Sequence, residues 1–300
     1  MNIRRFSAAA FAAALLTPGL AACNSTGTGE AGASASPAVS GSIAPSGASP
    51  GTGDAKQALL NSTNEIRNGN FKFTMTGPSS TAEGQVHEPS QSAEMRVTIG
   101  DPSSDLMMKL DVIHYKPDSW VKAELGGKSA SSIPGVQKLN LGKYQHLDQT
   151  RIKGNRSLGF DFDKLDPAGS AVLTQGITEV RQTGEGTYEG TLDVSKAAEA
   201  GSMDPAVITA LGAQAQSVPF TAKVDPQGRL SELVIKLPAA GQNASAAAST
   251  PTATSTGATA PSTGQEVKIT YSDYGNATAA QKPPADQVVE APPEFYNLFK

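Results

Sequence analysis

Cysteine is all but missing from this chain of 300 residues: there is one, together with one tryptophan and three histidines. A lone cysteine excludes a disulfide framework, so a folded domain must rest on its hydrophobic core. His87, His114 and His146 are scattered, with no H-E-x-x-H and no acid at a fixed spacing, which leaves no zinc or catalytic constellation. Gly184, Gly186 and Gly190 lie in or beside a hairpin pattern and form no phosphate cradle. Asp161, Asp163 and Asp166 come near a calcium loop, but Asp166-Pro167 stands where an EF-hand needs its glycine. A helix cap accounts for that pattern better. A formal G-x-S-x-G at Gly47–Gly51 lacks the strand and helix that a nucleophile elbow requires. The expectation is a protein that is not an enzyme and has neither metal nor cofactor.

Charge and aromatics are also sparse, at 17% and 5%, which implies that part of the chain is not globular. Lys and Arg number 24 against 28 Asp and Glu, without a basic cluster, so nucleic acid is excluded as a partner. The apolar stretch Phe6–Leu16 falls short of the roughly 20 residues that span a bilayer.

That short stretch follows Arg4 and Arg5 and leads to small residues, the layout of a secretory signal over residues 1–22. Leu20-Ala21-Ala22-Cys23 resembles a bacterial lipobox. The resemblance implies a diacylglyceryl group on the Cys23 sulfur and a lipid anchor on the extracytoplasmic face of the cell membrane. Each buried methylene of such an anchor contributes about 0.8 kcal/mol. The alternative is an ordinary signal with an incidental cysteine; that Cys23 is the only cysteine and stands in register favours lipidation. Loss of Arg4 and Arg5 leaves 22 basic against 28 acidic residues, a mature net charge near −6. Residues 24–53 are mostly Ser, Gly, Ala, Thr and Pro with the single charge Glu30, a linker with a mean span of about 30 Å as a coil.

The domain spans 54–300. Asp54 with Gln57 reads as a capping box, and Ala55, Leu59 and Ile66 recur at helical spacing up to a stop at Asn68-Gly69. Period-2 segments follow: Phe71-Phe73-Met75, a short piece at 83–86, Ala93–Ile99, Leu106–Val112 with its alternation broken at Val112-Ile113, and Trp120–Glu124. Residues 126–160 are irregular around a short strand at 143–147. Asp166-Pro167 and Asp204-Pro205 each open a short helix, the first carrying Leu173 and the second Ile208 and Leu211. Strands are expected at 178–181 and 188–194, between the two helices. Phe220-Ala222-Val224 and Leu233-Ile235-Leu237 flank the turn Asp225-Pro226-Gln227-Gly228. A charge-free Ala/Ser/Thr/Gly/Pro tract at about 239–265 reads as an insertion in a hairpin loop, either O-glycosylated or unmodified. Val267-Ile269-Tyr271 resumes the strand pattern, and a last strand at Val288-Val289 and a terminal turn at 294–299 close the chain.

The expected fold is α+β: a strongly curved antiparallel sheet, or half-barrel, with short helices packed on its concave face. The inward row comprises Phe71, Phe73, Met75, Met95, Val97, Met108, Leu110, Leu192, Phe220, Ala222 and Ile269, with Leu173, Ile208 and Leu211 facing it from the helices. These side chains either pack together or leave an apolar cavity of the kind that holds ligands. From Asp54 to Lys300 the chain resembles the LppX/LprAFG family of actinobacterial lipoproteins, related in fold to the LolA/LolB carriers. The resemblance rests on the lipobox, the first helix running into Phe71-Lys72-Phe73, Tyr188–Asp193, the hairpin Val218–Leu237 and Val267–Gly275. It implies a hydrophobic cavity that binds an acyl chain or glycolipid for transport in the cell envelope, in a monomer. The insertion at 239–265 departs from the compact family pattern. The rival reading is an envelope interaction module with a solid core. A bulky residue on the inward row, such as Ala222→Trp, is expected to block uptake without unfolding the domain.

Overall fold

The computed structural model describes residues 52–100, 103, 105–132, 136–153, 155, 158–195, 197, 203, 205–238 and 265–299. The signal, Cys23, the linker up to residue 51, Asp204 and insertion residues 239–264 lie outside the described residues.

Among the described residues, twelve strands form one open sheet: β1 (Asn70–Thr76), β2 (Ser80–His87), β3 (Ser92–Ile99), β4 (Met107–Tyr115), β5 (Asp118–Gly126), β6 (Tyr144–His146), β7 (Ile177–Gly184), β8 (Thr187–Leu192), β9 (Val218–Val224), β10 (Leu230–Leu237), β11 (Gln265–Ser272) and β12 (Val288–Glu290). Their order is β12-β6-β5-β4-β3-β2-β1-β11-β10-β9-β8-β7. Two meanders, β1–β6 and β7–β11, therefore meet where β11 pairs with β1. Neighbouring strands within each meander are antiparallel, and the hairpins β1–β2, β2–β3, β3–β4, β4–β5, β7–β8 and β9–β10 are too short to admit a crossover. The exception is β12, which lies parallel to β6 because the chain reaches it by crossing the sheet and not through a hairpin. β10 and β11 pair from Leu237↔Gln265 downward, so the 239–265 insertion joins two adjacent strands.

Five α-helices, besides short 3-10 turns, accompany the sheet among the described residues: α1 (Thr52–Ser62), α2 (Asn64–Arg67), α3 (Gln149–Ile152), α4 (Ser170–Gln175) and α5 (Pro205–Leu211). Three local expectations need correction. Asp54 lies inside the first turn of α1, and Gln57 donates to Asn61 Oδ1 (2.9 Å), so these two residues make no capping box. The expected single helix is broken because the Ser62 and Thr63 hydroxyls turn back onto the carbonyls of Leu59 (2.7 Å) and Leu60 (2.9 Å). β4 runs unbroken through Val112-Ile113. The alternation fails there because the outer face is itself covered: Ile113 packs with Trp120 and Ala280.

β2 is twice as long as its sequence pattern, because Gly84 hides it. A Cβ at Gly84 would meet the Glu94 carbonyl and, 3.0 Å away, the Phe73 ring. Gly84 pairs with Phe73, and Gly190 pairs with Phe220 in the same manner. At Gly84 the Phe73 ring takes the space that the glycine leaves, whereas at Gly190 a Cβ would meet the backbone of Glu179 and Val180 on β7.

Candidate functional site

Ladder register decides which side chains share a face, because alternate residues point to opposite sides. Phe73 pairs with Tyr271 and Gly84, Gly84 with Met95, and Met95 with Val112. Ile269 pairs with Leu233, Leu233 with Ala222, and Ala222 with Tyr188. By these pairings Phe71, Phe73, Met75, Met95, Val97, Met108, Leu110, Leu192, Phe220, Ala222 and Ile269 all lie on one face, here called inner. The outer face carries Lys72, Glu83, Arg96, Asp111 and Lys122, with Arg96 bridging Glu83 (2.8 Å) and Asp111 (3.0 Å).

The inner face is covered as two separate cores. The first takes residues from β1, β2 and β7–β11, and α1, α4 and α5 contribute Leu59, Leu173 and Leu211 to it. Phe71, Phe220, Leu233, Ile235 and Ile269 are fully buried there. The second lies on β4 and β5, where Leu110, Val112, Val121 and Ala123 are covered by Leu139, Leu147, Ile152, Leu158 and the C-terminal Phe295 and Tyr296. Val97 on β3 packs against both. The strip Met75, Met95, Val97 and Met108 is only half-buried, and Ile99 beyond it is 41% exposed. Ile208 and Val207 of α5 are likewise half-buried against the first core. The result is an apolar seam along β3. It opens at the end of the sheet where Thr76, Ser80, Ile99, Met107, Gly126 and Gln265 stand, here called the rim.

Of the fourteen inward residues expected from the sequence, Phe71, Phe73, Leu110, Leu173, Leu192, Leu211, Phe220, Ala222 and Ile269 sit in sealed packing; Met75, Met95, Val97 and Met108 line the seam, and Ile208 is half-buried against the first core. Ala222 is 1% exposed between Tyr188 and Leu233, so an indole there overpacks the core and destabilises the fold. The seam residues are better places for a block.

Polar groups on the inner face are few, and the structure partners most of them. Tyr271 donates to Asp166 Oδ1 (2.8 Å), and its oxygen lies 2.9 Å from the Ser170 hydroxyl. Asp166 also accepts from the backbone N–H of Gly169 (3.0 Å) and Ala171 (2.7 Å). The N-cap position of α4 is Gly169, but Asp166 supplies the capping oxygen from three residues upstream. Burial raises the Asp166 carboxyl above its ordinary range, and these hydrogen bonds oppose the rise. His114, beside Ser119 (2.8 Å), is held down at about 4 by burial. Gln145 Oε1 is buried without a partner, although its Nε2 donates to the Asn140 carbonyl (2.9 Å). His146 sits on the outer face between Asp118 (3.2 Å) and Glu290 (3.0 Å). Two concavities of about 510 and 280 Å³ also lie on the outer face, among Lys72, Glu83 and Arg96 in the first and Thr74, Glu83 and Arg96 in the second. Their charged side chains are already partnered: Arg96 with Glu83 and Asp111, Glu94 with Gln85 (2.8 Å), and Lys72 with Asp273 outside the lining (2.7 Å).

Sequence reasoning missed the cover of the second core. Leu139, Leu147, Ile152, Leu158 and Phe295 come from chain without periodicity; their one signal is spacing between polar residues too wide to form a stripe. It also missed a strap, residues 273–287, that crosses the outer face. There the N–H groups of Ala277 and Ala280 donate to Asn70 Oδ1 (2.9 Å) and Ser92 Oγ (3.0 Å), and Lys282 lies 4.8 Å from the Tyr115 ring centroid. In comparisons with protein-family models and with curated proteins, the chain has no significant match.

Proposed function

We propose that this is a lipoprotein of the extracytoplasmic membrane face, anchored through Cys23, that takes up the acyl chain of a lipid or glycolipid without catalysis. The observation that supports the reading is the half-buried strip Met75-Met95-Val97-Met108 between two sealed cores. Three of its four residues are methionines, whose unbranched, polarisable side chains repack around irregular apolar ligands. In this reading the sheet curves around α1, α4 and α5, and the seam widens between the two cores as a chain enters. The protein acts as a monomer and carries its ligand within the cell envelope.

The test is native mass spectrometry of the mature chain purified from its own host, followed by organic extraction and titration with a fluorescent fatty acid. A lipid of defined mass, and uptake that Val97→Trp reduces at least tenfold in a folded protein, are the expected results. An empty protein that binds no probe sinks the reading. The solid packing around Phe220 and Ile269 would then favour the interaction module.

A further inference from the structure

The segment that covers the second core hangs from a short edge ladder. β12 stands at one end of the sheet and pairs with β6 alone, in the parallel sense, over Val288↔Tyr144, Val289↔Gln145 and Glu290↔His146. Parallel pairs hold slightly less well per residue than antiparallel ones. The Ala291 N–H then donates to the His146 carbonyl (3.1 Å). From there the chain turns onto the inner face, where Phe295 is completely buried and Tyr296 nearly so.

One side chain fastens this ladder. On the outer face His146 Nδ1 lies 3.0 Å from Glu290 on β12, and its Nε2 lies 3.2 Å from Asp118 on β5. An ionised carboxylate only accepts, and a neutral imidazole has a single N–H to give. Both contacts are hydrogen bonds only when the ring is an imidazolium, so its charge stitches β5, β6 and β12 together. Burial pushes that charge down, but the hydrogen bonds to Glu290 and Asp118 outweigh it and hold the His146 pKa above 6.5. Lys282 of the strap faces the same Asp118 from 3.8 Å. Lys122, further along β5 and over the Tyr144 ring, is bridged to Asp111 (3.3 Å) and Glu124 (3.6 Å). The Trp120 ring, 5.8 Å from the imidazole, carries no charge.

Beneath the segment the seam has a continuation. Met95 pairs with Val112, Val112 with Val121 and Val121 with Gln145, so one inner row runs from β3 to β6, about 14 Å at strand spacing. It ends at Gln145 Oε1, the buried acceptor without a donor. An acceptor left unpaired counts against the closed arrangement.

We propose that residues 288–299 form a pH-released lid on the inner face: charged His146 clasps it shut, and loss of that charge lets it lift and lengthen the seam from Met95 to Gln145. The proposal deepens the acyl-binding reading and rests on it only for what enters; the lifting itself stands apart. The closed lid holds the proton more tightly than the open one. The clasp is therefore complete below pH 6.5 and is lost as pH rises through the value His146 has when closed. Partly exposed ion pairs are weak and Phe295 stays well packed, so the lid opens more often without standing open.

The test is hydrogen exchange of the full mature chain at pH 6 and pH 8.5, corrected for the intrinsic pH dependence of exchange. The amides of Ala291 and Phe295, which donate to the carbonyls of His146 and Pro292, are the reporters. Their protection is expected to fall about threefold between the two pH values while that of β9–β11 holds. In His146→Gln it should be the same at both, and Glu290→Gln should lose most of the response. Both side chains lie outside the two cores, so these variants fold. Protection that ignores pH in the native chain, or a pH response that survives His146→Gln, overturns the proposal. Uptake of a fluorescent fatty acid is followed in the same samples. It should be faster at pH 8.5 in the native chain and not in His146→Gln; a lid that opens while uptake keeps one rate overturns the gate. A lid that opens in a protein that takes up no probe supports the lid and rejects the acyl-binding reading.

Discussion

The two halves of the inner face use one strand code and two kinds of cover. Over β1 and β7–β11 the cover is helical, and Leu59, Leu173 and Leu211 come from short periodic segments. Over β4–β6 it is irregular chain closed by the C-terminus, with Phe295 completely buried. At 11 residues α1 closes part of its own backbone bonds, while α4 and α5 are too short to do so and the cover is tied down by contacts such as Tyr271 Oη to Asp166 Oδ1 (2.8 Å). The second depends on tertiary bonds such as the Asp148 N–H to Tyr296 Oη (2.8 Å). The halves should therefore fail differently. Phe295→Ala is expected to cost about 3–5 kcal/mol, with amide protection lost first in β4–β6 and kept in β9–β11. Phe220→Ala should cost a similar amount but lower protection across the sheet. Hydrogen exchange on both variants checks this, and identical protection patterns would make the two halves one cooperative unit.

Each half also encloses a group that titrates in the acid range, with opposite consequences for pH. His114, on β4, has its pKa lowered from 6.5 to about 4 by burial. Between those values the unfolded chain binds more protons than the folded one, so stability falls as pH drops through that window, by about 3 kcal/mol in all. Asp166, beneath Tyr271, is raised above 3.8, chiefly by burial. Its contribution is fully present below pH 3.8 and is lost as pH rises through its folded value. Melting temperatures between pH 4 and 7 should thus decline toward acid in the native chain and flatten in His114→Gln. Asp166→Asn should leave the acid decline in place. A decline that survives His114→Gln would mean that another group drives it.

How much of this was legible in the sequence follows from the same contrast. Alternation located β1, β3, β5, β9 and β10, and the inward residues it named on β1, β3 and β9 share one face by register, since period 2 allows only two choices. It failed at β2, where Gly84 yields to the Phe73 ring, and at Ile113, where the strap makes both faces apolar. The helical cover was readable from Leu59 and Leu173. The second cover was not, because Leu147, Leu158 and Phe295 meet only in the folded chain and have no periodicity of their own. For the same reason the seam could not be separated from the sealed residues: Val97 and Phe73 alternate identically, and only the cover above them differs.

The smallest expected effect is the most telling for function. Leu110 and Val97 are paired neighbours on adjacent strands, one 5% exposed within the second core and the other half-buried between the cores. Leu110→Ala should cost about 2–5 kcal/mol, as truncation of a sealed aliphatic does. Val97→Ala should cost about 1 kcal/mol or less, because the methyl groups removed were already partly in water and leave little new cavity. Urea unfolding with unchanged m-values makes the comparison fair. A small cost at Val97 combined with weakened fatty-acid binding would mean that the side chain is placed for a ligand at little expense to the fold. A cost at Val97 as large as that at Leu110 would mean that the two cores are continuous through β3, and the seam would then be packing and not a binding site.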